Sequence, residues 1–213
     1  SEQNARGIGD IAVTARYWVL STERTKNNFS VGLGVKLPTG NDSVMDIYPD
    51  FFGNNPTRKA VDMSIQPGDG GWGVIFDAQG FQRVKKVFLF GGITYLANPR
   101  DTNNTPSIVS GLGLGNRPGL GDLLVNSVTD QYMVRAGLSV PTPLKGLSVS
   151  FAGRLEGLPR YDIFGESHGW RRPGKEVFLE PGLMYSRGNA SVNFNVPAAI
   201  YRNRYPNPYT DRA

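Results

Sequence analysis

An all-β fold, an antiparallel up-and-down β-barrel of the transmembrane kind, is the class this sequence predicts, on three observations. Apolar residues recur at every second position in eight separate runs, and no segment keeps a helical period. The runs are about ten to fourteen residues long, beyond the five or six of an ordinary strand and matched to tilted membrane-crossing strands. The connections alternate short and long along the whole chain, as periplasmic turns and outer loops do in such barrels.

The strands are expected near 8–21, 28–38, 72–84, 86–98, 128–141, 146–158, 176–187 and 189–202. In the first, Ile11, Val13, Ala15, Tyr17 and Val19 share a face against Asp10, Thr14 and Arg16. In the second, Phe29, Val31, Leu33, Val35 and Leu37 oppose Ser30, Gly32, Gly34 and Lys36. The third carries Asp77, Gln79 and Arg83 on its polar face, while the fourth, VFLFGGITYLA, is apolar on both faces and leaves its orientation open. In the fifth, Tyr132, Val134, Ala136, Leu138 and Val140 oppose Gln131, Arg135 and Ser139. The sixth sets Leu147, Val149, Phe151 and Leu155 against Ser148, Ser150, Arg154 and Glu156. The seventh contributes Glu180, and the eighth sets Val192, Phe194, Val196, Ala198 and Ile200 against Ser191, Asn193 and Asn195. Short turns fall near Ser21–Lys26, at Lys85, at PTPLK and at Arg187-Gly188-Asn189. The long connections are 39–71, 99–127 and 159–175.

Composition fits one β domain over residues 1–213. The hydrophobic fraction is 39%, with 27 glycines and 15 prolines, a low apolar share for a conventional core and many turns. The net charge of +5 is spread without a basic run or basic helix, which argues against a nucleic-acid partner. With no cysteine there is no disulfide framework and no thiolate metal site. No stretch approaches the ~20 apolar residues of a spanning helix. The opening SEQNARG has neither a charged n-region nor an apolar h-region, so no signal peptide is expected in this chain, and the absence of an initiator Met suggests a mature or trimmed one.

If odd-numbered strands run inward from the long-loop side, Trp72, Tyr95, Tyr132 and Tyr201 fall toward the outer rim. Tyr17, Phe29 and Tyr185 then fall toward the short-turn rim, giving the two aromatic belts of a membrane barrel. The first strand runs inward and the eighth ends outside, whereas bacterial barrels keep both termini in the periplasm. One further strand on each side restores that rule, so eight strands in this chain imply ten or more in the complete protein. An eight-stranded barrel with both termini outside is the alternative.

Gly9-Asp10 followed by Tyr17, Val35-Lys36-Leu37-Pro38-Thr39-Gly40, and Gln66-Pro67-Gly68 with Gly70 before Trp72 form a recognisable set. Glu180-Pro181-Gly182-Leu183 with Tyr185 and Asn195-Val196-Pro197 with Tyr201 complete it. The chain resembles, over nearly its whole length, the outer-membrane family called "MetA-pathway of phenol degradation". That resemblance implies an outer-membrane β-barrel concerned with the passage of hydrophobic or aromatic compounds, and it carries over no catalytic residue.

The lumen-lining candidates are Asp10, Arg16, Lys36, Asp77, Arg83, Arg135, Arg154, Glu156 and Glu180, with Thr14, Gln79, Gln131, Asn193 and Asn195 beside them. Mixed signs predict either a paired network that fills the interior or a polar conduit. GLGLGNRPGLGD (111–122) lacks the Lys-Ser/Thr ending of a phosphate loop and reads as a flexible outer loop, its leucines free to meet a ligand or partner. His168 is the sole histidine, in a Gly- and Arg-rich loop, which favours a solvated or ligand-facing role over catalysis. Asp42, Asp46, Asp50 and Asp62 match no calcium-loop spacing, and neither metal nor cofactor is expected. The expected role is non-enzymatic: a channel or transporter in the bacterial outer membrane for a small, hydrophobic or aromatic compound, with lipid and that solute as partners. A structural or adhesive barrel with a plugged lumen and a protein partner at its long loops is the alternative; a barrel enzyme such as a lipid hydrolase and a soluble β-sandwich lectin are weaker rivals.

Overall fold

The computed structural model of the protein describes residues 3–21, 26–48, 56–112, 119–188 and 190–205. Its strands are β1 (Ile11–Trp18), β2 (Asn27–Leu37), β3 (Met45–Tyr48), β4 (Thr57–Ala60), β5 (Gly73–Val84), β6 (Val87–Ala97) and β7 (Thr102–Pro106). After these come β8 (Val125–Ser127), β9 (Gln131–Pro141), β10 (Leu147–Leu158), β11 (Gly174–Arg187), β12 (Ala190–Asn195) and β13 (Ala198–Arg204). The main sheet runs β1-β2-β5-β6-β9-β10-β11, and β12 and β13 share the eighth position against β11. Every pairing in it is antiparallel, and the sheet curls into a half-barrel of eight strands.

Residues directly opposed in an antiparallel pair share a face, so the register traces rows around the sheet. One row passes through Arg16, Gly32, Asp77, Thr94, Met133, Glu156, Glu176 and Arg202. This polar face is the covered one: Ser30 is 0% exposed, Lys36 5% and Glu180 6%. The apolar face is open, with Val13 at 61%, Leu33 at 60% and Val192 at 68%. Phe88, Phe90, Gly92, Thr94 and Leu96 of β6 share the covered face, which fixes the orientation that VFLFGGITYLA leaves open.

The eighth strand is not continuous as expected. Pro197 has no N–H to give to a ladder, so pairing stops at Val196-Pro197, where the Val196 N–H still reaches the Pro181 carbonyl at 3.0 Å. The register then slips between Val177 and Phe178, leaving Ile200 as an extra residue. The slip turns Tyr201 to the face of Val177 and leaves Arg202 and Arg204 opposite Glu176 and Gly174.

The long connections are not bare loops either. Residues 39–71 contain the β3–β4 hairpin and a 3₁₀ turn at Met63–Ile65, and 99–127 contain β7, β8 and two more 3₁₀ turns. Val109, Leu123 and Trp170 form a buried apolar cluster against which Met63 and Leu120 pack, so all three long connections meet there. Leu120 and Leu123 of the glycine-rich stretch are thus spent inside the chain; 113–118 lie outside the described residues.

Gly137 sits on the covered face between Phe90 and Ala152. A Cβ there lies 2.6 Å from the Ala152 Cβ, 2.7 Å from the Phe151 carbonyl and 2.7 Å from the Phe90 ring. Because one of these obstacles is backbone, Gly137→Val is expected to destabilise the sheet by about 1–3 kcal/mol, as overpacking does. Denaturant unfolding followed by Trp fluorescence checks it.

Candidate functional site

The covered face holds three charged clusters, two of which include an ion pair that reaches over an intervening strand. In the first, Arg16 on β1 donates from Nε to Asp77 Oδ1 on β5 at 2.6 Å, over the intervening β2. The residue between them in the row is Gly32, where a Cβ would lie 3.0 Å from Arg16 Cγ and 3.2 Å from Asp77 Cβ. Thr94 adds a hydroxyl to Asp77 Oδ2 at 2.9 Å. A residue with no side chain is thus what lets the guanidinium cross a strand.

The second cluster repeats the device with alanine. Arg135 on β9 and Arg154 on β10 face one another directly, an arrangement that repels unless an anion intervenes. Glu180 on β11 supplies it: Oε2 accepts from Arg135 Nε and Oε1 from Arg154 Nε, both at 2.6 Å. Ala152, paired with both Gly137 and Glu180, keeps the path from Glu180 to Arg135 open. Glu156 takes a further hydrogen bond from Arg154. Both guanidinium groups also lie over rings, Arg135 over Phe90 at 5.3 Å and Arg154 over Phe178 at 4.4 Å.

The third cluster closes a corner. Lys36 is ion-paired with Asp69 and has Asp10 Oδ2 at 3.8 Å. Asp10 in turn accepts from the Gly40 N–H at 2.9 Å and the Asp69 N–H at 3.3 Å. A Cβ on Gly40 would lie 2.7 Å from Gly68 Cα, so the PTG and QPGDG segments cross backbone to backbone. The motifs at the start of 39–71 and before Trp72 therefore build one joint.

Of the lumen-lining candidates, these clusters bring together Arg16 with Asp77, Asp10 with Lys36, and Arg135 with Arg154, Glu156 and Glu180. Arg83 stands apart near the Lys85-Lys86 turn, donating to the Lys85 carbonyl at 3.1 Å and lying over Phe88. Gln79, Gln131, Asn193 and Asn195 are exposed, and Thr14 is half-buried. The expected outer-rim aromatics divide: Trp72 and Tyr201 are open, whereas Tyr95 and Tyr132 are half-buried.

A cavity of about 760 Å³ lies against this face, touched by Asp10 and Ala12 at one end of the sheet and by Arg202 and Arg204 at the other. Ser64 and Arg172, from two of the long connections, also line it. Those connections are tied by a two-pronged ion pair, Arg172 Nη1 to Asp62 Oδ1 at 3.2 Å and Nη2 to Oδ2 at 2.6 Å. Burial pushes the Asp62 carboxyl up, but donors from Ser64 and the Arg172 guanidinium together hold it below the usual carboxylate range.

A second knot holds the base of the connections. Asp130, 0% exposed, accepts from the Asn98 N–H at 2.7 Å, the Tyr95 hydroxyl at 2.5 Å and the Ile163 N–H at 3.1 Å. Arg171 joins it through Asp162 at 2.7 Å. Asp62, Asp69, Arg171 and Arg172 escape a strand-by-strand reading because they lie outside the alternating runs, and Asp130 falls within the expected fifth run but ahead of β9. Phe90 and Phe178 escape it because apolar residues on a polar face look like noise until Arg135 and Arg154 are seen above them.

His168 is held by Asp101, which accepts from its backbone N–H at 2.8 Å and faces Nδ1 at 2.6 Å, with Glu166 3.4 Å from Nε2. The hydrogen bond to Asp101 raises the His168 pKa above its ordinary value. Among the described residues this is the single trio able to offer a metal three donors, all within 4.8 Å of one another, and His168 and Glu166 are exposed. Of the acidic residues singled out in 39–71, Asp62 is committed to Arg172, and Asp46 accepts from the Asn4 and Ile47 N–H groups. Asp50 lies outside the described residues.

No family model matches this chain, and no curated protein matches it either.

Glu180→Met leaves Arg135 without its anion, opposed to an Arg154 that keeps only Glu156. Removing one partner of a buried pair costs about 3–5 kcal/mol, and the partial exposure of both arginines reduces this to roughly 2–3 kcal/mol here. Replacing all three residues with Met is expected to recover most of that loss. Denaturant midpoints of the single and triple variants check it.

Proposed function

We propose that this chain forms the wall of an outer-membrane β-barrel of ten or more strands that passes a small molecule along its polar side. The observation that carries the reading is the inverted burial of the sheet. Val13, Leu33, Val149, Phe151 and Leu183 stand open on one face while Lys36 and Glu180 are covered on the other. In water such an apolar surface is far larger than a monomer keeps exposed, whereas hydrocarbon is a neutral environment for it. Lipid also requires every strand edge to be paired, which the half-barrel meets when further strands close it. The charged clusters and the cavity supply a polar, mixed-sign lining for a conduit. The likeness to the family concerned with phenol degradation agrees with a hydrophobic or aromatic solute, and the protein acts without catalysis, in contact with outer-membrane lipid.

A plugged barrel whose long loops bind a protein partner is the second reading. It is favoured by the pairing of Arg16, Arg135 and Arg154 within the wall and by the Asp62–Arg172 tie between the long connections beside the cavity.

Planar-bilayer recording on the full-length protein separates the two. The proposal predicts discrete conductance steps that grow when the tie is cut by Arg172→Gln. A protein that inserts yet carries no current and takes up no solute, in either form, removes the passage reading and leaves the plugged one.

A further inference from the structure

Between its charged ends, the cavity on the sheet has an apolar floor. Ile75, Leu96, Met133 and Leu158, from β5, β6, β9 and β10, line it and are half-buried. Register puts all four on the covered face: Ile75 pairs with Leu96, Met133 with Thr94 and Glu156, and Leu158 lies two positions beyond Glu156. None belongs to the buried cluster of the long connections. They form an apolar strip on a face that otherwise carries charge.

Arg204 stands at one end of this strip. It is exposed, forms no ion pair among the described residues and lies opposite Gly174, which in turn lies opposite Leu158. A Cβ on Gly174 would come 2.5 Å from the Asn203 carbonyl oxygen and 3.1 Å from Arg204 Cα. The arrangement repeats the crossings at Gly32 and Ala152, a cation beside a residue too small to block it. There the far side holds Asp77 or Glu180; here it holds Leu158. The acids that line the cavity are already taken, Asp10 by Lys36, Glu156 by Arg154 and Glu176 by Arg202. Lys175, beside Glu176 in the strand, belongs to the opposite face. The covered face thus keeps one cation without an anion, at the edge of an apolar strip.

We propose that the cavity takes an aliphatic carboxylate, its chain along Leu96, Met133 and Leu158 and its carboxylate on Arg204. With strands about 4.8 Å apart, the strip from Leu96 to Leu158 is roughly 10 Å across, the length of a medium-chain acid. Tyr132, the one aromatic residue lining the cavity among the described residues, pairs with Tyr95 and belongs to the other face. The strip therefore suits a flexible chain better than a flat ring. The site deepens the proposed passage by naming a solute class, and rests on that reading only for its place in transport, because binding needs no conduction.

Calorimetry on the full-length protein in lipid nanodiscs, with empty discs subtracted, tests it using octanoate, butanoate and octylammonium. Octanoate is expected to bind saturably, one to one. Butanoate, shorter by four methylenes, should bind about a hundredfold more weakly, and octylammonium should give no saturable heat. Arg204→Gln, at an exposed position that leaves the fold intact, should weaken octanoate about tenfold, the effect of one charge-assisted contact. Absence of saturable octanoate binding overturns the proposal. So does butanoate or octylammonium binding as tightly as octanoate, or an octanoate affinity unmoved in Arg204→Gln. Conductance without octanoate binding removes the site and leaves the barrel; binding without conductance keeps the site and removes passage.

Discussion

A sheet that covers its polar face has to satisfy charge where other proteins bury hydrocarbon, and the rest of this structure follows from that constraint. Isolated charges on a covered face are prohibitive, so each must find a counter-ion on the same face. Adjacent strands offer few such pairs: Arg135 faces Arg154 and Arg16 faces Gly32. The solution is to reach over one strand, which works only where the middle strand is small. Gly32 under Arg16–Asp77 and Ala152 under Arg135–Glu180 are the same device used twice. The glycines that weaken β2 as an isolated strand are thereby what joins β1 to β5 electrostatically.

Apolar packing has moved elsewhere as a result. Val61, Val109, Leu123 and Trp170, deeply buried large side chains, all belong to the long connections, and Val128 directly follows one of them. Those connections form a packed body over one end of the sheet, tied by Asp62 to Arg172 and rooted on Asp130. The division of labour is physical: the sheet is held by ladder hydrogen bonds and bridged charges, the connections by a small core of their own. A hollow between hairpins of that body and a cavity against the sheet are separate spaces with different linings.

Much of the sheet was legible from alternation alone, because a period of two is the direct signature of a strand with unlike faces. It could even be read which face carries Arg16, Lys36, Arg135 and Glu180. Four things were not legible. Pro197 and the extra residue at Ile200 break the last strand by a slip that a regular period cannot encode. The inner rings Phe90 and Phe178 violate the binary pattern because they serve arginine, not hydrocarbon. The partners Asp62 and Asp69 come from segments without any period, and Asp130 from the edge of the fifth run just ahead of β9, so only the folded chain reveals which group each one answers. Pairing across a strand is likewise invisible in sequence, since Arg16 and Asp77 are sixty-one positions apart.

The central claim is that the open apolar face meets lipid, and the absence of cysteine makes a direct measurement simple. Single cysteines placed one at a time from Phe29 to Leu37, spin-labelled in lipid nanodiscs, report local access to oxygen and to a water-soluble nickel complex. The account predicts a strict alternation in which labels at Phe29, Val31, Leu33, Val35 and Leu37 relax with oxygen and ignore nickel, while the intervening positions do not favour oxygen. Nickel access at Val31, Leu33 and Val35 equal to that of a water-exposed loop would contradict it.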